Sequence, residues 1–142
     1  MKIIALKGKE NTGKSHTINI VYSFLLRDGY EQVPGIFRIL GNPKFEDCFD
    51  ILIKDGKKVV GIIGMGDYPS SPKIDYSFEK LLEEIERKEC DICICACQNK
   101  PDIVSALSKY PHHIIINKTT STLESEYRII DFKDAESILK NF

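Results

Sequence analysis

Net charge, long apolar runs and chain length are all in short supply in this sequence. Twenty basic residues against 21 acidic ones leave a formal charge of −1, with both signs spread along the chain. That balance gives no support to a one-sided basic surface of the kind that grips a nucleic-acid backbone. The longest glycine-tolerant apolar run, Val59 to Gly66, falls far short of the ~18 residues that suggest a membrane span. The amino-terminal stretch does not read as a secretory leader, because Lys7 interrupts it. No internal repeat or linker is visible. At 142 residues the chain is expected to form one globular domain over residues 1–142, with a real core, in the cytoplasm and without a membrane partner.

Cysteine is not scarce, but its placement excludes its usual chemistry. Four of the five cysteines crowd into Cys90-Asp-Ile-Cys-Ile-Cys-Ala-Cys97, the fifth being Cys48. Read as a strand, this run sends Cys93, Cys95 and Cys97 to one face at ~6.6 Å intervals, which cannot converge on one tetrahedral metal ion. The expectation is therefore small apolar thiols filling a buried strand, without disulfides in a reducing compartment.

What is present, and organises the rest, is Gly8-Lys9-Glu10-Asn11-Thr12-Gly13-Lys14-Ser15, a full match to the phosphate-loop pattern G-x-x-x-x-G-K-[ST]. Two glycines let the backbone curl until its N–H groups form an anion nest, and the helix that follows adds the positive end of its dipole. Lys14 is expected to reach the β- and γ-phosphates, and the Ser15 hydroxyl to hold a Mg²⁺ ion that bridges them. His16 in the next turn is counted with the nucleotide-contacting residues 8 to 15. The context agrees, since the apolar run Met1 to Lys7 enters the loop as a strand. From Ser15 onward, Ile18, Val21 and Leu25 recur at helical spacing up to a C-terminal Gly29.

Further along, Tyr30 to Phe49 reads as a long loop with a short edge strand. Asp55-Gly56 between Phe49–Ile53 and Lys58–Ile63 predicts an antiparallel hairpin. A helix follows on Phe78, Leu81, Leu82 and Ile85 with Asp75 as N-cap, then the cysteine strand, then a helix opened by Pro101 and capped by Asn99. His113–Asn117 is a strand, Tyr127–Phe132 a last strand, and Asp134–Phe142 a last helix. The alternation predicts an α/β fold: a three-layer, mostly parallel sheet with helices on both faces and one antiparallel edge strand, with ligand at the carboxyl ends of the strands.

A Mg-nucleotide site needs a carboxylate at the end of a strand neighbouring the loop strand, and Asp67, after Val59–Gly66, is the candidate. Glu46, Asp47 and Asp50 precede their strand and are set aside, as is Asp91. Gln98, Asn99, Lys100, Asn117 and Lys118 follow strands at the same sheet edge. Arg38 is a weaker candidate for neutralising a leaving phosphate.

On these residues the chain resembles the P-loop NTPase superfamily. Its element order is similar to that of small Ras-like GTPases, and the resemblance implies two switch segments, Tyr30–Phe49 and Gly64–Pro72. The guanine motif N-K-x-D of that group corresponds to Asn117-Lys118-Thr119-Thr120, without the acid. The D-x-x-G motif is absent after Asp67. Lys9 follows the first glycine as in the deviant phosphate loops of the partitioning ATPases, where that lysine reaches across a dimer, which implies a possible homodimer or other protein partner. The resemblance implies Mg²⁺ and ATP (or GTP) as cofactors and ATP hydrolysis catalysed through Lys14. A nucleotide-dependent switch or partner-binding module, and a kinase for a small metabolite, are the alternatives.

Overall fold

β1 (Lys2–Lys7) is the strand on which the two halves of the core meet. Ile3 and Ala5 pack to one side and Ile4 and Leu6 to the other, all of them fully buried. In this computed structural model, which describes residues 1–41, 43–45, 47–65 and 76–142, the chain continues through α1 (Lys14–Arg27), β2 (Glu31–Gln32), β3 (Arg38–Ile39), β4 (Cys48–Lys54) and β5 (Lys58–Ile63). Then come α2 (Phe78–Arg87), β6 (Ile92–Cys97), α3 (Pro101–Ser108), β7 (His113–Asn117) and α4 (Tyr127–Lys140).

The strands form one mixed sheet in the order β2-β4-β5-β6-β1-β7, with β3 also on β4. β5, β6, β1 and β7 are parallel neighbours, in register at Ile62↔Ile94, Ile4↔Ile94 and Ile4↔Ile114. β4 runs against β5, from Phe49↔Ile63 to Lys54↔Lys58. The hairpin turns where expected: Asp55 and Gly56 both take positive φ, and the Lys57 N–H donates to the Lys54 carbonyl, as a type I′ turn requires. The short edge strand expected within Tyr30 to Phe49 is present in two pieces, which cover β4. β2 and β3 pair in succession along its outer side, Gln32 on Leu52 and Ile39 on Cys48.

Each sheet face carries two helices. Ile18, Val21 and Leu25 of α1 pack with Ala135 and Ile138 of α4 over Ile4, Leu6, Ile62 and Ile94. Phe78, Leu81, Leu82 and Ile85 of α2 pack with Ile103 and Leu107 of α3 over Ile3, Ile63 and the cysteines. β6 keeps its expected alternation, Cys93, Cys95 and Cys97 toward α2 and α3 and Ile92, Ile94 and Ala96 toward α1 and α4. All five cysteines are buried free thiols, and burial pushes Cys48 up to about 12 and Cys90 up to about 11, so neither is a thiolate near neutral pH.

Two helix starts differ from expectation. Ser77 caps α2, its Oγ accepting from the Lys80 N–H at 3.3 Å, while Asp75 lies outside the described residues. Lys100 rather than Asn99 occupies the N-cap position of α3, without a side-chain bond.

A larger difference is at the carboxyl-terminal end of the chain. Tyr127–Phe132 is not a strand but the first part of α4. Ile129 and Phe132 point outward, whereas Asp131 and Asp134 turn inward together, which i, i+3 spacing on a helix allows and strand alternation does not. A polar demand at that point overrides the β-branched composition.

β5 approaches α2 so closely that a Cβ on Gly61 would lie 2.4 Å from Ile85 Cδ1. Gly61→Val is expected to cost about 1–3 kcal/mol, read as a lower urea midpoint at unchanged m-value.

Candidate functional site

The loop after β1 is held from both sides. The Gly8 N–H donates to the Cys97 carbonyl at 3.1 Å and the Lys118 N–H to the Lys7 carbonyl at 2.8 Å, so the loop springs from between the ends of β6 and β7. The Gly8 amide is thus spent on the sheet. Thr12 Oγ1 donates to the Lys9 carbonyl at 2.8 Å and closes the loop on itself. Gly13 has φ +86°, the left-handed conformation that glycine takes without strain, and α1 starts directly after it. The N–H groups of Lys14, Ser15 and His16 are therefore in the first turn, where an α-helix supplies no acceptor of its own.

Lys14 is buried, and its ammonium folds back to donate to the Lys9 carbonyl at 2.6 Å. Ser15 faces the other way: its hydroxyl donates to Asp47 Oδ1, with the Gly64 carbonyl oxygen 3.3 Å off. Lys9 and Glu10 are exposed, and Glu10 accepts from Gln98 Nε2 at 3.3 Å. Asn11 takes φ +56° in the loop's turn.

Asp47 is the residue that the sequence leads one to dismiss. It precedes its strand, but that strand runs opposite to its neighbours, so the start of β4 lies at the carboxyl ends of β1, β5, β6 and β7. Three contacts dock β4 on α1 at helical spacing. Ser15 meets Asp47, Asn19 Oδ1 lies 3.8 Å from the Cys48 thiol, and Tyr22 donates to Asp50 at 2.7 Å. Asp50 is fully buried, accepting from Gln32 Nε2 at 2.9 Å as well. Burial and the Asp50 carboxylate hold the Tyr22 phenol above its usual range, so it remains a donor. Asp67, the carboxylate expected to serve a metal, lies outside the described residues, and β5 is separated from β1 by β6 rather than adjacent to it.

On the other side of the loop stands a cluster that the sequence reading does not anticipate. Lys118, its side chain wholly buried, donates to Asp131 Oδ1 at 2.7 Å, to Asp134 Oδ2 at 2.9 Å and to the Thr119 carbonyl at 2.8 Å. Its three donors are all spent there. Asp134 accepts from the Thr119 N–H and hydroxyl as well. Asp131 Oδ2 is 2.7 Å from His16 Nδ1, which turns the histidine toward α4. The fit is tight, since a Cβ on Gly13 would lie 2.9 Å from Asp131 Oδ1, and one on Gly8 2.9 Å from Lys118 Cβ. Beside the cluster a cavity of about 120 Å³ is lined by Thr12, Gly13, Thr120, Tyr127, Ile130 and Asp131. The signal for this cluster was Asp131 and Asp134 at i, i+3, which counts only once the segment is known to be helical.

Other candidates are occupied elsewhere. Arg38 pairs with Glu84 at 2.9 Å and lies 4.0 Å over the Phe49 ring. His112 and His113 line a larger cavity, about 530 Å³, with Lys2, Cys90 and Asp91 at the opposite end of the sheet. Among the described residues no three His, Cys, Asp or Glu side chains are grouped to hold a metal ion, and no helix is long and apolar enough to cross a membrane.

Lys118→Met leaves two buried carboxylates without their cation and is expected to cost about 3–5 kcal/mol in urea unfolding. Adding Asp131→Asn and Asp134→Asn should recover most of that loss; no recovery would mean that the lysine acts through packing alone. Comparison of the chain with protein-family models, with curated proteins and with solved structures returned no match.

Proposed function

We propose that the chain has the P-loop NTPase fold, binds a Mg²⁺–nucleoside triphosphate at Gly8–Ser15 and hydrolyses ATP. The observation that carries this reading is a loop rooted between two parallel strands and opening a helix, with the Lys14 ammonium folded back on the loop's own Lys9 carbonyl and the Ser15 hydroxyl on the Asp47 carboxylate. The groups fit the ion. A hydroxyl and a carboxylate are hard oxygen donors, and Mg²⁺ typically takes one or two such groups and completes its octahedron with phosphate oxygens and water.

When bound, the ion neutralises charge developing across the β- and γ-phosphates. Lys14 exchanges its bond to the Lys9 carbonyl for phosphate oxygens, and the amides of the first turn of α1 donate to the same anion. Ser15 and Asp47 hold the cation side, with Asp67 as the second carboxylate proposed for that role. Catalysis is positioning plus electrostatic stabilisation, with water as the nucleophile. Lys118 supports ATP over GTP, because its donors are spent on Asp131, Asp134 and Thr119 and because Thr120 offers no carboxylate to a guanine edge.

Calorimetric titration with ATP and GTP, with and without Mg²⁺, together with a phosphate-release assay tests the reading. Mg-ATP should bind and release phosphate, and Lys14→Ala should abolish release. Asp47→Asn should weaken binding about tenfold with Mg²⁺ and little without it, the loss of one charged ligand. Asp67→Asn, measured alongside, apportions the cation between the two carboxylates. Absence of nucleotide binding would overturn the proposal. Binding without release would make the chain a switch, dependence on an added acceptor would make it a kinase, and a large GTP preference would refute the argument from Lys118 and Thr120.

A further inference from the structure

α4 leaves large apolar side chains in solvent among its outward charges. Its inner side buries Ala135 and Ile138 along with Asp131 and Asp134, while Ile129 and Phe132 stand 56% and 42% exposed on its outer side. The outer surface also reaches α1, since Phe132 meets Phe24 edge-on with ring centroids 5.8 Å apart.

The charges around Phe132 indicate what covers it. Arg128 and Glu136 lie four residues to either side of Phe132, and Glu124 and Lys140 eight residues to either side. All four are exposed, and none is ion-paired to another described residue. Within α4 the pair Arg128 and Glu136 is antisymmetric about Phe132, and Glu124, in the 3-10 turn just before the helix, stands opposite in sign to Lys140 at the same sequence distance, whereas exposed Glu126 has no counterpart. A helix of that kind is complementary to itself when reversed.

We propose that the outer face of α4 is where two copies of this chain associate, with the two α4 helices antiparallel about a two-fold axis at Phe132. Arg128 then opposes Glu136 of the second copy, and Glu124 opposes its Lys140, each pair occurring twice as an isologous interface demands. The helical rise sets the Arg128–Glu136 pairs about 6 Å from the axis, and the pairs of Glu124 with Lys140 lie further out. A parallel arrangement would set each charge against its like, and a uniformly acidic or basic partner would match only half of the pattern. Exposed ion pairs add little affinity, so Phe132 and Ile129 supply the binding and the charges fix the direction.

Sedimentation equilibrium of the full chain tests this independently of any nucleotide. A concentration-dependent dimer is expected, and Phe132→Glu should leave a monomer with an unchanged far-UV circular dichroism spectrum. Should that variant fold poorly through its contact with Phe24, Ile129→Glu makes the same test at a more exposed position. Arg128→Glu and Glu136→Arg should each weaken the dimer about tenfold, and the two together should restore it. A wild-type monomer at all concentrations, including one that instead binds anionic vesicles or another protein, would overturn the proposal. So would a dimer indifferent to Phe132→Glu and Ile129→Glu, or a double charge reversal no tighter than the singles.

Discussion

The buried ammonium of Lys118 is the point on which this architecture turns. It lies just past the end of β7, its own amide pins the last residue of β1, and its side chain draws two carboxylates from α4 into the molecule. A lysine and two aspartates removed from water are costly, and what makes them tolerable is that every donor on the nitrogen has an acceptor. Because Asp131 lies against Gly13 and Lys118 Cβ against Gly8, the same cluster forms one wall of the loop. The loop's shape thus depends on a helix more than a hundred residues further along the chain, a dependence invisible in the loop's own eight residues.

This explains which parts of the molecule were legible beforehand. The strand-loop-helix unit, the Asp55-Gly56 hairpin, the α2 core face and the alternation of the cysteine strand are local patterns, written in the period of apolar residues and in turn chemistry. They emerge as read. Tyr127–Phe132 departs from expectation because its composition favours a strand and its inward-facing groups are acids, whose burial makes sense only with Lys118 in place. Local preference lost there to a long-range ion pair.

The site shows the same division. Lys14 and Ser15 follow from the motif, and the structure sets them on different partners, the Lys9 carbonyl and the Asp47 carboxylate. Asp47 could not be found by rules for parallel sheets, because those rules look for acids after a strand. Strand direction reverses the logic: in an antiparallel strand the residue before the first pair is the one at the functional edge. The hairpin signal that made β4 antiparallel was visible, and taken one step further it points to Asp47. Asp131 and His16 required the helix.

One consequence follows from the reversed course of β4. The sheet has a working rim, where the loop, Ser15, Asp47 and Lys118 gather, and an opposite rim that holds the turn at Asp55–Lys57 and the amino ends of the parallel strands. Since β4 is anchored to α1 near the working rim by the contacts at Ser15, Asn19 and Tyr22, extra residues at the Asp55 turn would be absorbed without moving Asp47. A single residue gained or lost between Asp47 and Asp50 would instead invert the faces of the strand and break the docking. Two stretches of one hairpin, a few residues apart, thus differ sharply in how much variation in length they can carry.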